Sequence, residues 1–382
     1  MEPAVSTMRV LITNDSLENR GGAEVFTQDL GKALQARGHQ VVVFSCGRVR
    51  GKRLMDIDPI PVVTDLVNLE MKPDIIHGNN HLDLMTALMS LPGVPAVHHV
   101  HGAVCRGVPP LHPRIHRYFT ITPTMKDRLM AEYNLPGKDI DVVFNGVDLR
   151  RFRTVRGATE KPKRALVFHR SFKENGETTD VIRRACERLG ISLEVIGRRS
   201  GKTILNPEKV LLEYDLVFAA GMSAIEAAAS GCAVIVLGKT SAGPMLDLEN
   251  FDRFRKANFS LPLNYPPPDQ SAVESEILKY SAEGLSAVTE VVREKADFNV
   301  VVDEIVAHYE DVIQRQSHQE EDLQAEMQSL AEYLHVILPL IKRADDMLFS
   351  DAGMPQTMAD ALGELEVQMA RVQEEMRRAL QK

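Results

Sequence analysis

After a short polar lead-in, MRVLIT (8–13) is an apolar run followed by a turn and a helical pattern. Within 22–37, Val25, Phe26, Leu30, Ala33 and Leu34 fall at helix spacing, and Gly38 stands where a C-cap glycine belongs. VVVFS (41–45) is a second apolar run rich in β-branched residues, so the opening predicts a βαβ unit. DIIH (74–77), AVHHV (96–100), YFTIT (118–122) and DVVF (141–144) extend the series of buried-strand candidates. Near-continuous apolar strands separated by helical patterns predict a parallel sheet covered on both faces. The basic, polar stretch 150–163 lacks apolar periodicity and predicts a linker. The alternation then restarts with ALVF (165–168), a helix over 177–189, LEVIG (193–197), KVLLE (209–213), DLVFA (215–219), a helix over 222–230 and AVIVLG (233–238). The expected fold class is α/β with two Rossmann-like domains. The expected boundaries are 8–152 and 164–297, with an amphipathic closing helix over 298–315 and a tail over 316–382.

The tail has a different rhythm. Leu323, Met327, Leu330, Leu334, Ile337, Ile341, Ala344 and Leu348 recur at alternating steps of four and three. After SDAGMP (350–355), Leu362, Leu365, Met369, Val372, Met376 and Ala379 resume the pattern. Such spacing predicts two helices with an apolar seam, the first kinked at Pro339. A hairpin packed on its own body, self-association and a different protein partner all suit the seam. A homo-oligomer formed through the tail is the partner expectation.

A chain of 382 residues has room for two or three domains. Its net charge of −8 disfavours general nucleic-acid binding. Residues 316–382 hold 13 acids and 6 Lys/Arg, so they carry −7 of that charge and the body is close to neutral. Local basic clusters stand at Arg48, Arg50, Lys52 and Arg53 and at Arg150, Arg151, Arg153 and Arg156. These read as solvated loops or as contacts with phosphates or an anionic membrane face. No apolar run reaches membrane-span length, and the N-terminus does not read as a secretion signal. The four cysteines form no CxxC pair, which argues against a zinc site or a disulfide framework. The expected location is the cytoplasm, with peripheral contact at the inner membrane face left open by the basic clusters.

Candidate chemistry gathers where strands end. Gly21 and Gly22 precede the first predicted helix, where they either let an anion approach the backbone or make a tight turn with no ligand. This is not G-x-G-x-x-G, so a nicotinamide cofactor is disfavoured. At this point a likeness emerges. Residues 8–45, PDIIHGNN (73–80), VHHVHGAV (97–104) and FNGVDLRRF (144–152) occur in the order and spacing of the retaining glycosyltransferases of family four, and the chain resembles these enzymes over about residues 8–315. The resemblance implies a GT-B fold, in which two Rossmann-like domains face each other across a cleft.

It also implies site residues. Arg170 matches the family arginine in FHRSFKENG (168–176), where the family lysine is replaced by Asn175 and Lys173 stands nearby. Cations here suit the charge that gathers on a nucleoside diphosphate leaving group. Gly197 ends the matching strand, while Gly221, Met222 and Ser223 place backbone N–H groups near the diphosphate. Glu226 matches the carboxylate that accepts hydrogen bonds from ribose hydroxyls, although a glutamate early in a helix also suits the helix dipole. On the acceptor side, His101 matches a histidine near the transferred sugar; His101 or Asp15 is the candidate base. Gly21, Gly22 and Asn145 belong to the loops lining that side.

One departure is plain. The family carries E-x7-E, and the position of the first glutamate is Phe218 here. The shortened DLVFAAGMSAIEAAASG resembles the donor segment of MurG-type inverting transferases, which leaves the stereochemical outcome open. Transfer of a hexose-type sugar from a nucleotide-sugar, UDP-linked, to a glycan or lipid-linked acceptor in cell-envelope polysaccharide synthesis is the leading expectation, with no cofactor and no metal. The alternatives are a degenerate scaffold or regulatory protein acting through its tail, and a sugar-nucleotide epimerase.

Overall fold

A computed structural model describes residues 7–17, 21–46, 59–102, 109–169, 171–197, 200, 204 and 206–349, with backbone alone for 343–349. The chain divides into two units, Met1–Asp322 and Leu323–Lys382.

The first lobe of the larger unit is a seven-stranded sheet built from β1 (Arg9–Thr13), β2 (Gln40–Phe44), β3 (Val62–Val63), β4 (Ile75–Gly78), β5 (Ala96–Val100), β6 (Ile115–Thr120) and β7 (Ile140–Val142). Its order is β3-β2-β1-β4-β5-β6-β7, and every pairing is parallel. The apolar runs form central strands because both faces are covered: β4 and β5 are buried at every position. Helices α1 (Gly22–Ala36), α2 (His81–Ser90) and α3 (Pro123–Tyr133) make the crossovers. Thr122 caps α3 by accepting from the Met125 N–H, with Pro123 at the first helical position.

The second lobe contains β8 (Arg164–Phe168), α4 (Glu177–Arg188), β9 (Ser192–Ile196), α5 (Pro207–Val210), β10 (Leu216–Ala219), α6 (Met222–Ala229), β11 (Ala233–Leu237) and β12 (Ala242–Met245). Strand order is β12-β11-β10-β8-β9, with β12 antiparallel to β11 at the edge. Helices α7 (Phe251–Lys256), α8 (Gln270–Ile277) and α9 (Ala282–Lys295) complete the lobe. KVLLE departs from the strand rhythm. Pro207 starts a short helix there, and 211–213 continue as a 3-10 turn. A five-residue apolar run cannot by itself distinguish a buried helical turn from a strand.

The chain crosses between lobes twice, and the two crossings touch. Val147 N–H donates to Ala296 O at 2.8 Å and Phe298 N–H donates to Val147 O at 3.0 Å. A Cβ on Gly146 would stand 3.0 Å from Ala296 O and from Phe298 Cα, so any larger residue would press the two crossings apart by a few tenths of an ångström. After this crossing α10 (Phe298–Ser317) returns to the first lobe. Its Phe298, Val301, Val302, Ile305, Tyr309 and Val312 join the first-lobe core beside Val10, Ile12 and Phe26.

The second unit contributes α11 (Leu323–Phe349), with Pro339 inside the helix. The second expected tail helix, Leu362–Ala379, lies outside the described residues, as does the cluster Arg48–Arg53. Among the described residues no helix is long and apolar enough to cross a membrane.

Candidate functional site

Each sheet has a point where its strand order reverses, between β1 and β4 in the first lobe and between β8 and β10 in the second. Ligands of open α/β sheets bind outside the carboxyl ends of strands at such points. The segments singled out by sequence lie at these ends: Asp15 and Gly21–Gly22 after β1, His101 after β5, Asn145 after β7, Lys173 after β8, Gly197 after β9 and Gly221–Ser223 after β10. Arg170 lies outside the described residues.

In the first lobe a saturated polar network sits beneath this edge. The Thr27 hydroxyl donates to Ala23 O at 2.9 Å, one turn back. Its oxygen then accepts from Asn14 Nδ2 at 2.7 Å and from Asn79 Nδ2 at 3.0 Å. With the Asn79 amide nitrogen so directed, its Oδ1 faces His101 Nε2 at 2.7 Å. The bond is satisfied when Nε2 carries the proton, which leaves Nδ1 as an acceptor. His101 stacks on His99 with centroids 4.2 Å apart and also meets the Phe26 ring at 4.7 Å. Burial, reinforced by His98, pushes the His101 pKa down to about 3. The imidazole is therefore neutral at physiological pH and acts through hydrogen bonds. His77 and His99 are fully buried and held neutral by the same desolvation.

The glycine pair is less open than the sequence suggests. Gly21 is the N-cap of α1, and the Glu24 carboxylate, at the third helical position, folds back over it. That placement puts a resident negative charge at the helix N-terminus. Asp15 is exposed at the end of β1 and interacts electrostatically with Cys46.

In the second lobe, Gly221 adopts φ +60° and ψ −135°, a conformation that side chains disfavour, and so turns β10 sharply into α6. Its N–H is held by Phe259 O at 2.9 Å. Met222 and Ser223 form the half-buried first turn, where helix N–H groups have no intrahelical partner. Glu226 lies one turn further, on the same helix face as Met222 and Ser223, and is 5% exposed. Lys173 is exposed beside α4, and Gly197 closes a turn with Ser200, whose Oγ accepts its N–H at 3.0 Å.

Of the linker arginines, Arg150 and Arg153 are exposed, as a solvated loop requires, while Arg151 and Arg156 depart from both expectations. Arg150 pairs with Asp148 at 3.0 Å, Arg156 with Asp215 at 2.5 Å, and Arg151 with Asp29 at 2.8 Å and Glu208 at 3.5 Å. Arg151 and Arg156 are neither solvated nor offered to an external phosphate or membrane, because carboxylates from the folded lobes surround them; their side chains are 21% and 12% exposed. Asn145 supplies another inter-lobe bond, donating from Nδ2 to Asn258 Oδ1 at 2.8 Å. Sequence reasoning missed Asn258 and the role of Arg151, whose partner Asp29 is 122 residues away.

Comparison with known proteins bears on the first lobe's sequence and on the two-lobed fold. Residues 20–151 match the model of Glycosyltransferase Family 4. No curated protein sequence matches the chain. A glycosyltransferase from Rickettsia africae ESF-5 superposes over 80% of this chain and 99% of its own, with TM-score 0.56 and 14% identity. Sucrose-phosphate synthase from Thermosynechococcus elongatus covers 81% of this chain and 100% of its own, with TM-score 0.55 and 13% identity. WaaG, a glycosyltransferase involved in lipopolysaccharide biosynthesis, covers 78% and 99%, with TM-score 0.51 and 13% identity. At these identities the likeness is one of fold. The first lobe thus matches the model of Glycosyltransferase Family 4 over residues 20–151, and the two-lobed frame has the GT-B fold of solved glycosyltransferases.

Proposed function

We propose that the protein transfers a hexose-type sugar from a UDP-linked donor to a hydroxyl of a glycan or lipid-linked acceptor, in cell-envelope polysaccharide synthesis. The observation that carries this reading is the conjunction, at the second-lobe switch point, of the sharp turn at Gly221, the first turn of α6 and the buried carboxylate of Glu226. Helix N–H groups of Met222 and Ser223 suit a diphosphate, and an ionised carboxylate suits the two hydroxyls of a ribose. Arg170 and Lys173 belong to the proposal as cations that meet charge developing on the leaving group, a role that makes a metal unnecessary.

In the first lobe, the neutral imidazole of His101 orients the sugar or acceptor hydroxyl through hydrogen bonds. Its depressed pKa makes it a weak proton acceptor, so Asp15, exposed at the same strand edge, is the better candidate base. The cytoplasm, with peripheral contact at the inner membrane face, is the proposed working place and the tail the proposed means of self-association.

Isothermal titration of the full chain with UDP, followed by a release assay over a panel of UDP-sugars with and without glycan acceptors, tests the reading. Acceptor-dependent UDP release is expected. Absence of UDP binding removes the nucleotide-sugar assignment, and donor isomerisation without acceptor replaces transfer by epimerisation. Light scattering before and after deletion of 323–382 tests assembly; a monomer in both cases removes that role from the tail.

A further inference from the structure

Arg151 is the point where three segments of the larger unit meet. Its backbone is fixed by the turn that follows Asp148, whose carbonyl accepts the Arg151 N–H at 3.0 Å. From there the guanidinium reaches in two directions. Nη1 donates to the two carboxylate oxygens of Asp29, on α1 of the first lobe, at 2.8 and 3.2 Å. Nη2 stands 3.5 Å from Glu208 Oε2, on α5 of the second lobe. Glu226, on α6, also interacts electrostatically with it. Asp29 and Glu226 are 4% and 5% exposed, so water does little to screen these charges.

A planar guanidinium can hold carboxylates on separate edges at once, which a lysine ammonium does with far less geometric control. The consequence follows from where the partners sit. Asp29 lies on the helix that begins at Gly21–Gly22, while Glu226 is the carboxylate assigned to the donor ribose. We propose that Arg151 is a positioning residue of the nucleotide site, tying Asp29 on the first-lobe helix α1 to Glu208 of the second lobe, so that the juxtaposition of the lobes and the charge facing Glu226 depend on one side chain. The inference rests on the nucleotide-sugar reading given above.

The test is calorimetric titration of the full chain with UDP, well below its melting temperature, for the wild type and for Arg151→Gln, Arg151→Lys, Asp29→Asn and Glu226→Ala. Arg151→Gln should bind UDP about tenfold more weakly, as expected for loss of one charge-assisted contact. Arg151→Lys should recover part of that loss, leaving about a threefold deficit because charge returns without the fork. Asp29→Asn should also weaken UDP binding, although Asp29 belongs to the other lobe. A brace with no part in the site predicts lower melting temperatures with wild-type UDP affinity in the Arg151 and Asp29 variants while Glu226→Ala loses binding, and that pattern overturns the proposal. If Arg151→Gln does not fold, Arg151→Lys decides: unchanged affinity overturns it. Failure of the wild type to bind UDP is a separate result, which defeats the nucleotide reading itself and this inference with it.

Discussion

At the carboxyl edge of the first sheet, Thr27, Asn14, Asn79 and His101 hydrogen-bond one another in a closed set. At the matching edge of the second sheet, the N–H groups of Met222 and Ser223 make no backbone hydrogen bond among the described residues, and Glu226 is buried behind them. The Thr27 network is uncharged and pre-arranged, with the Asp15 and Glu24 carboxylates outside it at the same edge, while the second edge combines open donors with a buried carboxylate. A network whose members already satisfy one another holds a shape but has few groups left for a charged ligand. An open helix turn has the reverse property. The comparison teaches that the first lobe spends its polar groups on one another, whereas the second lobe leaves donors open beside a buried carboxylate, the arrangement on which the proposed nucleotide site rests. Helix α10 adds to this lobe's interior: Phe298 packs edge-on against Phe26, and the Tyr309 hydroxyl stands 2.7 Å from His77 Nδ1.

Acid should separate the lobes most strongly. Burial lowers the pKa values of His77, His98 and His99, that of His98 to about 4. Below the unfolded value of about 6.5 the unfolded chain takes up protons that the folded first lobe refuses, so stability falls as pH falls. The loss approaches about 1.4 kcal/mol per pH unit for each histidine, and continues until the folded pKa is reached. Chemical denaturation between pH 7 and 4.5 should therefore lose several kcal/mol, on the order of the whole stability of a domain. A flat profile over that range would mean that these histidines protonate without unfolding, and burial would not be holding them neutral beneath the first edge.

Thr27→Val comes next. The change keeps the shape and removes the hydroxyl, leaving the Asn14 and Asn79 amides without their shared acceptor. Buried unsatisfied groups cost about 1–3 kcal/mol each, so a loss of about 3 kcal/mol is expected. Thermal unfolding measures it; UDP affinity should stay within about twofold, because this edge is assigned orientation rather than ionic binding.

Glu226→Ala reverses that pattern. Removing a charged hydrogen-bond partner of the ribose should weaken UDP binding by about 1–3 kcal/mol. If both variants shift UDP affinity equally, the division of labour between the two edges is wrong.

These contrasts were unequally legible in the amino-acid sequence. Buried parallel strands such as AVHHV and AVIVL announce themselves because both faces demand apolar residues. The glycines at 146 and 221 stand out as residue types, but only the structure separates their reasons: a backbone that would lie 3.0 Å from an added Cβ in one case, a φ of +60° in the other. The Thr27 network was invisible, since four polar residues on separate elements share no period. Arg151 and Arg156 were misread for a related cause. A run of cations in sequence looks like an outward patch unless one knows that Asp29, Glu208 and Asp215 fold around it. Short-range pattern reports burial well and reports long-range charge pairing poorly.

The smallest expected effect concerns the seam between the lobes. Asn145→Ala deletes the donor to Asn258 Oδ1, a half-buried bond that gives about 0.5–1.5 kcal/mol. Asn258 itself occupies a left-handed conformation at φ +50°, which asparagine tolerates better than most residues, so the bond is not needed to hold that turn. The crossing at Gly146 and Val147 remains, with its two backbone bonds to Ala296 and Phe298. Calorimetry should show one unfolding transition lowered by a few degrees or less, since the buried contacts of α10 and the ion pairs of Arg151 still join the halves. A split into two transitions would instead make Asn145 the main fastening between the lobes, and the two edges would then be set against each other chiefly by one amide pair rather than by the paired crossings and the guanidinium.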